Sequence, residues 1–554
     1  MNQGKAVPVV LLACIIALQS PDTTEKAESI DSAGVKALFT DPPRQYSSPH
    51  ISISTNTAVE YQTIDGFGAS DAWRCQFVGK NWPLEKREQI ADLLFSQELD
   101  NDGNPKGIGL SLWRFYLAAG TTEQGDDSEI GSNSNPWRRG ECFQNTDGTY
   151  DWSKHEGQRW FLEAAKERGV EKLLAFTIAA PVHMSNNGKG FATKGDIRFN
   201  VKPGRLDDYA NYLVDVMDHF NREGIFFDYL SPINEPQWNW DGHSQEGTPA
   251  LNEEIYAFVK YISHGLSSRG LDTRIVIGEA GSIGHIAMLR RRSRRRLSDN
   301  ARGNQANFFF NTKSPFYIGD LPNVEKTISA HSYHSVWPLD RQVIYRQMLD
   351  SAIKSANPDL KYWQSEYCIL QRNGELGGGW GRDLTMKTAL YVARIIHNDL
   401  VIANAASWQW WTAITQHDFK DGLVYLDDGS QGNTGKMGEE ESLQNDGAVR
   451  ESKLLWVLGN YSRFVRPGMV RIKCELSEEQ SPENGVLVSA YKDPKDGSLV
   501  YVLVNLSEEK MMVDLGQDKK AKTYTTDESN SMGFSLQSLN KVKIPPRSVV
   551  TVLK

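Results

Sequence analysis

Phe227-Asp228-Tyr229-Leu230-Ser231-Pro232-Ile233 runs directly into Asn234-Glu235-Pro236. The apolar, aromatic-rich run reads as a strand, and it stops on a carboxylate. Seven further runs of the same kind occur along the chain: Thr63–Gly68, Gly107–Phe115, Lys172–Ala179, Arg274–Glu279, Lys326–Tyr333, Lys361–Glu366 and Ala405–Trp411. Between them lie stretches with helical periodicity, clearest over Arg205–Asn221, where Leu206, Tyr209, Leu213, Met217 and Phe220 fall on one face. Pro83–Phe95, Trp152–Arg168, Leu251–Leu266, Asp340–Lys354 and Thr385–Leu400 follow the same pattern. Eight strands alternating with helices predict an α/β fold, a (β/α)8 TIM barrel over residues 61–452. A doubly wound open sheet is the alternative. No GxGxxG follows the first strand, however, and the seventh and eighth repeats are as well formed as the first.

The pattern changes after a last helix at Leu454–Phe464. Val486–Lys492, the turn Asp493-Pro494-Lys495-Asp496-Gly497 and Leu499–Leu506 predict a hairpin, and Val549–Leu553 a closing strand. Residues 453–554 are therefore expected to form that helix and a side β-sandwich. The alternating segment His50–Thr57 adds a strand to the sandwich, within an N-terminal piece spanning 50–60. No low-complexity linker separates barrel from sandwich, so the two should pack firmly.

A chain of 554 residues with 39% apolar and 24% charged residues can bury a large core. Its net charge of −9 argues against a nucleic-acid partner, which needs a basic face. The five cysteines form no CxxC pair, and nothing in the sequence calls for a metal or another cofactor. Fifteen Trp and twenty Tyr supply flat faces of the kind laid against sugar rings, although core packing claims most of them. Residues 6–18, AVPVVLLACIIAL, are too short to span a bilayer and fit the core of a signal peptide over 1–20. Leu11-Leu12-Ala13-Cys14 has the form of a bacterial lipobox, so simple cleavage and lipidation at Cys14 both stay open. Residues 21–49 read as a tether. The expected location is outside a bacterial cytoplasm, either secreted, periplasmic or held at the outer membrane through Cys14. A monomer is expected.

In such a barrel, chemistry sits at the C-terminal ends of strands. Glu235 ends the fourth and Glu366 the seventh, on opposite walls of one cleft. Glycoside cleavage needs one carboxylic acid to protonate the leaving oxygen and one carboxylate opposite it; about 5–5.5 Å between them implies retention, and about 6.5–9.5 Å inversion. Two like charges in one cleft disfavour each other, so Glu235 should carry a raised pKa when Glu366 is ionised nearby. Asn234 can bond a sugar hydroxyl. Glu279, ending the fifth strand, is expected as a site wall or ion-pair partner. A non-catalytic glycan-binding barrel and an amide hydrolase are the rivals; both carboxylates weigh against the first, and no Cys or Ser paired with a His base supports the second. The run Arg290, Arg291, Arg292, Arg294, Arg295 and Arg296 reads as a solvated face or as a contact for acidic polysaccharide.

Asn234-Glu235-Pro236 and Glu366 resemble clan A of the glycoside hydrolases. Ile64-Asp65-Gly66-Phe67-Gly68-Ala69-Ser70 resembles the first barrel strand of glycoside hydrolase family 30, whose members join a TIM barrel to a side β-sandwich. The resemblance implies a retaining hydrolase acting on a polysaccharide or oligosaccharide, with Glu235 as acid/base and Glu366 as nucleophile. It places Arg114 near the nucleophile, Tyr333 in a hydrogen bond to it, and one of Trp410 and Trp411 under the sugar; Asp71 and Trp240 join the expected binding residues. His331, beside Tyr333, has the same choice between site and core. Ala180–Gly188 resembles the family's third-strand loop, with His183 where Trp is frequent. Gly148-Thr149-Tyr150-Asp151-Trp152, Gly157-Gln158 and Asn187-Gly188 look most like endo-β-1,6-galactanases. Xylan-cleaving and β-glucosyl-cleaving members share the same frame.

Overall fold

The computed structural model describes residues 50–133, 135–287, 301–430 and 442–554. The signal-like run, Cys14, the tether and the arginine cluster lie outside them. Eight parallel strands close into a barrel: β2 (Gly66–Ser70), β3 (Leu112–Leu117), β4 (Lys172–Thr177), β5 (Tyr229–Ser231), β6 (Arg274–Ala280), β7 (Val324–His331), β8 (Lys361–Glu366) and β9 (Ala405–Trp410). Closure is made by β9 pairing with β2, from Gly66 opposite Ser407 to Ala69 opposite Trp410. The two-residue period of a strand sorts β3 cleanly. Leu112 and Tyr116 pack with Leu174, Phe176, Tyr229 and Trp363, while Trp113, Phe115 and Leu117 pack with the helices outside.

The six expected helices form, with ends moved by up to four residues. Trp152–Arg168 becomes Glu156–Glu167, because the Asp151 carboxylate accepts from both the N–H and the hydroxyl of Ser153 and holds a turn there. Leu206–Arg222 buries Tyr209, Leu213, Met217 and Phe220 as its periodicity requires, with Asp207 and Asp208 in the first turn and Arg222 in the last.

Three differences have physical causes. The fourth barrel strand, expected over Phe227–Asn234, pairs only at Tyr229–Ser231, since Pro232 cannot donate to a ladder. The second begins at Leu112 instead of Gly107; Ile108 and Leu110 donate to the Leu93 and Leu94 carbonyls at the end of a helix. A three-stranded sheet follows the barrel: β10 (Thr412–Thr415), β11 (Gly422–Asp427) and β12 (Ala448–Glu451). No alternating pattern announced it, because β10 and β11 are buried throughout.

β1 (His50–Thr63) is longer than expected and runs antiparallel to β13 (Val470–Leu476). It also pairs in parallel with β16 (Met511–Asp514). The expected hairpin is β14 (Val486–Lys492) and β15 (Leu499–Asn505), with Lys492 opposite Leu499. β17 (Lys520–Thr526) pairs with β18 (Gly533–Ser538), β19 (Val542–Ile544) pairs with β16, and β20 (Ser548–Leu553) closes between β15 and β17. Ile51, Ile53, Ile472, Leu503, Val513 and Val552 form a core of their own inside the sandwich. Its other face joins the barrel: Val500, Val502, Val504 and Val549 share one apolar cluster with the barrel helices. The helix Lys453–Ser462 lies between them, and the Asn460 amide donates to the Tyr524 carbonyl and the Thr551 hydroxyl, each at 3.0 Å. Truncation after Phe464 should therefore expose a large apolar face and give insoluble protein. A soluble, fully active truncation in sedimentation and activity assays would contradict this. No helix among the described residues is long and apolar enough to cross a membrane.

Candidate active site

Glu235 and Glu366 both reach the C-terminal mouth of the barrel and are almost wholly buried, at 7% and 4% exposure. Glu235 sits past the end of its short strand with φ of 44°, a left-handed backbone that a non-glycine residue holds only when its surroundings enforce it. Three hydrogen bonds do so. The Glu235 N–H donates to the Glu279 carbonyl at 2.7 Å, and the Glu235 carbonyl accepts from the Trp238 N–H at 3.1 Å and the Trp240 indole at 2.9 Å. Glu279 is also left-handed, at φ 40°. It follows Gly278, where a Cβ would come within 2.4 Å of the Ser329 carbonyl oxygen and only glycine fits.

His331, fully buried, ties three carboxylates together. Its Nδ1 lies 2.8 Å from Glu235 Oε1 and 3.4 Å from Glu366 Oε1, and its Nε2 lies 3.1 Å from Glu279 Oε2. A register shift between β7 and β8 puts His331 opposite Glu366, where the preceding pair is Ala330 and Gln364; the extra residue on β8 turns Glu366 toward the imidazole. Arg114, 1% exposed, reaches the cluster from β3, with Nη2 3.0 Å from Glu279 Oε2 and Nη1 3.1 Å from Glu366 Oε2. Tyr333 donates its hydroxyl to Glu366 Oε1 at 3.1 Å. One oxygen of Glu235 and one of Glu366 lie within 4.8 Å of each other.

Burial alone would discharge His331, yet the charge of Glu366 and the hydrogen bonds to Glu235 and Glu279 outweigh it and raise its pKa to about 10. These contacts favour the imidazolium form of the ring. Burial likewise raises Glu279, but Arg114 and His331 overcome it and bring its pKa down to about 2. For Glu366 burial dominates and pushes the carboxyl up; His331 and Arg114 oppose that, while Glu235 and Glu279 reinforce it. Three carboxyl groups thus face one guanidinium and one imidazole in a single buried cluster. One atom each from Glu235, His331 and Glu366 could reach a common ion. With Nδ1 protonated and donating to Glu235, the trio holds a proton where a metal ligand would need a lone pair.

These shifts predict opposite pH limbs of stability. The folded pKa of Glu279 is below its ordinary 4.5, so its contribution is present above about 4.5 and is lost as pH falls toward about 2. The folded pKa of His331 is above its ordinary 6.5, so its contribution is present below about 6.5 and is lost as pH rises through about 10. Thermal unfolding of His331→Gln should lack that alkaline decline; an unchanged alkaline limb would contradict the assignment.

The remaining expected residues divide. Asn234 is buried, and its Oδ1 has no hydrogen-bond partner among the described residues. Asp71, also buried, accepts from the Tyr116 N–H at 2.9 Å and is held well above the usual carboxylate range by burial. Trp240 packs against Gly247, where a Cβ would lie 2.4 Å from its ring. Trp411 is half-buried, with its ring edge-on to Trp73 at 5.3 Å between centroids. Trp410, by contrast, is wholly buried, stacks on Trp408 and donates its indole N–H to the Asp421 carbonyl, as a core ring does. His183 does not join the carboxylates. It bonds Gln144 at 3.0 Å, beside a polar cavity of about 300 Å³ shared with Asp147, Arg205 and Asn211. The linking role of His331 was missed, although its place at a strand end beside Tyr333 pointed to it.

A model of O-glycosyl hydrolase family 30 matches residues 50–425. The chain belongs to glycosyl hydrolase family 30. The family's β-sandwich domain matches residues 468–552. A conserved exported protein from Bacteroides fragilis is 36% identical over 91% of this family 30 chain and 100% of its own, with a TM-score of 0.83. The catalytic domain of a family 30 xylanase C from Talaromyces cellulolyticus (22% identical, 91% and 100% covered, TM-score 0.62) and an endo-β-1,6-glucanase (18%, 92% and 93%, 0.60) share the fold. The family 30 chain is thus a glycosidase built as a barrel with a side sandwich.

Proposed function

We propose that the enzyme hydrolyses a β-linked polysaccharide with retention of configuration, Glu366 attacking the anomeric carbon and Glu235 serving first as acid and then as base. The observation carrying this reading is the Glu235–His331–Glu366 cluster, in which one oxygen of each carboxyl lies within 4.8 Å of the other. So close an approach favours direct attack by a carboxylate over attack by a water held between nucleophile and sugar.

The unequal partners of the two carboxyls support the roles. Glu366 accepts from Arg114 and Tyr333 and faces the His331 cation, all of which favour its anion. Glu235 has the His331 hydrogen bond alone among these, so fewer donors hold it as an anion, which suits the acid/base role. In the first step Glu366 bonds to carbon, the glycosidic bond breaks, and the Glu235 proton passes to the leaving oxygen. In the second, Glu235 takes a proton from water, water opens the glycosyl ester, and Glu366 leaves as carboxylate. Arg114 and Tyr333 hold Glu366 in line and receive its charge back. That the buried Asn234 Oδ1 has no partner among the described residues supports a role for it in accepting from a sugar hydroxyl.

As substrate we propose β-1,6-galactan of plant arabinogalactan, cut internally, on the resemblance of residues 148–152 and 187–188 to endo-β-1,6-galactanases. The apolar run at 6–18 and the exported relative from Bacteroides fragilis support export. Reducing-sugar release from β-1,6-galactan, glucuronoxylan and β-1,6-glucan tests the substrate. Turnover of xylan or glucan with none of galactan would overturn the galactan reading and leave the mechanism standing.

A further inference from the structure

We infer that the indoles of Trp238 and Trp337 form a sugar platform on the leaving-group side of the scissile bond, so that efficient cleavage needs at least one saccharide unit beyond it. The inference rests on Glu235 being the acid. An acid hands its proton to the leaving oxygen, so the leaving sugar must lie against the loops around that carboxyl. Trp238 is three residues past Glu235 and is tied to it, its N–H donating to the Glu235 carbonyl at 3.1 Å. Its ring meets His334 at 5.8 Å between centroids, at an angle of 63°. His334 directly follows Tyr333, and its N–H donates to the Gln371 side chain at 2.8 Å, joining the loops after β7 and β8. Three residues further on, Trp337 is 38% exposed.

Both rings are seated on bare backbone. A Cβ on Gly281 would come within 2.2 Å of the Trp238 indole nitrogen, and one on Gly374 within 2.7 Å of the Trp337 ring. Most large apolar rings of this chain are buried, so an exposed indole held rigidly at the mouth of a polar cleft marks a contact surface. Its occupant must offer an apolar face and a polar edge together. A pyranose ring does so, with C–H groups over the π-face and hydroxyls at the rim. Contacts that far from the reacting carbon raise turnover only if the substrate extends to them.

The test compares an oligosaccharide of the polymer the enzyme cleaves with a glycosyl fluoride carrying a single sugar, whose leaving group is too small to reach the indoles. Trp337→Ala should lose about tenfold in kcat/KM on the oligosaccharide, equivalent to about 1.4 kcal/mol, and clearly less on the fluoride. Trp337→Leu keeps an apolar contact with Gly374 but no flat face, and it should show the same split even if the alanine variant folds poorly. Either variant should also transfer less glycosyl group to an added acceptor sugar, which competes with water from the same side. Equal loss on both substrates, or no loss on the oligosaccharide, would overturn the platform. Failure of Glu235 as acid would show separately, in the Glu235→Ala substrate comparison.

Discussion

Glu235→Ala should lose about 10²–10⁴-fold in kcat/KM on the natural glycan and far less on an aryl glycoside whose leaving group needs no proton. The cause is specific to the first step. A sugar alkoxide leaves only when protonated, whereas an activated phenolate leaves unaided, so removing the acid penalises the two substrates unequally. The second step also loses its base. Azide, an anion that attacks without giving up a proton, should enter the space of the missing carboxyl, open the glycosyl-enzyme and restore turnover as glycosyl azide. Equal losses on both substrates, with no response to azide, would remove Glu235 from the role.

Arg114→Met should have the largest effect on stability. Arg114 is 1% exposed and divides its guanidinium between Glu279 and Glu366 at 3.0 and 3.1 Å. Its loss strands two buried carboxylates beside one imidazolium, and removing one partner of a buried ion pair costs about 3–5 kcal/mol. Turnover should fall as well, because Glu366 loses the donor that aims it. Arg114→Lys should recover little, since one ammonium cannot reach both carboxylates with the spread of a guanidinium fork. Chemical denaturation decides this; a loss below about 1 kcal/mol would mean that the pair is screened in a way its burial does not suggest.

The barrel and the two carboxylates were legible because each strand end is a change of chemistry along the chain, apolar residues giving way to Glu. Glu235 and Glu366 stand on opposite walls simply because four and seven are nearly opposite in a ring of eight. What joins them was harder to see. His331, Glu279 and Arg114 meet only through a register shift on β8 and two left-handed glutamates, and neither feature leaves a local trace in residue type. Gly278 is a partial exception, as a glycine before a strand-ending Glu. Trp410 and Trp411 show the limit of pattern reading: of two adjacent indoles at a strand end, one is wholly buried and the other half-buried beside Trp73, and residue type does not say which. Pro232 stops β5 short of the expected Asn234, a signal the apolar run concealed, and Glu235 lies beyond the barrel ladder for that reason.

The most direct test of the mechanism is to trap the intermediate. A 2-deoxy-2-fluoro glycoside with an activated leaving group slows both steps but the second more, so enzyme quenched after mixing should carry one glycosyl group. Peptide mass spectrometry should place it on Glu366, and proton NMR of an ordinary β-linked substrate should show the β-anomer forming first. A label on another residue, or an initial α-anomer, would contradict the double displacement proposed for Glu366 and Glu235.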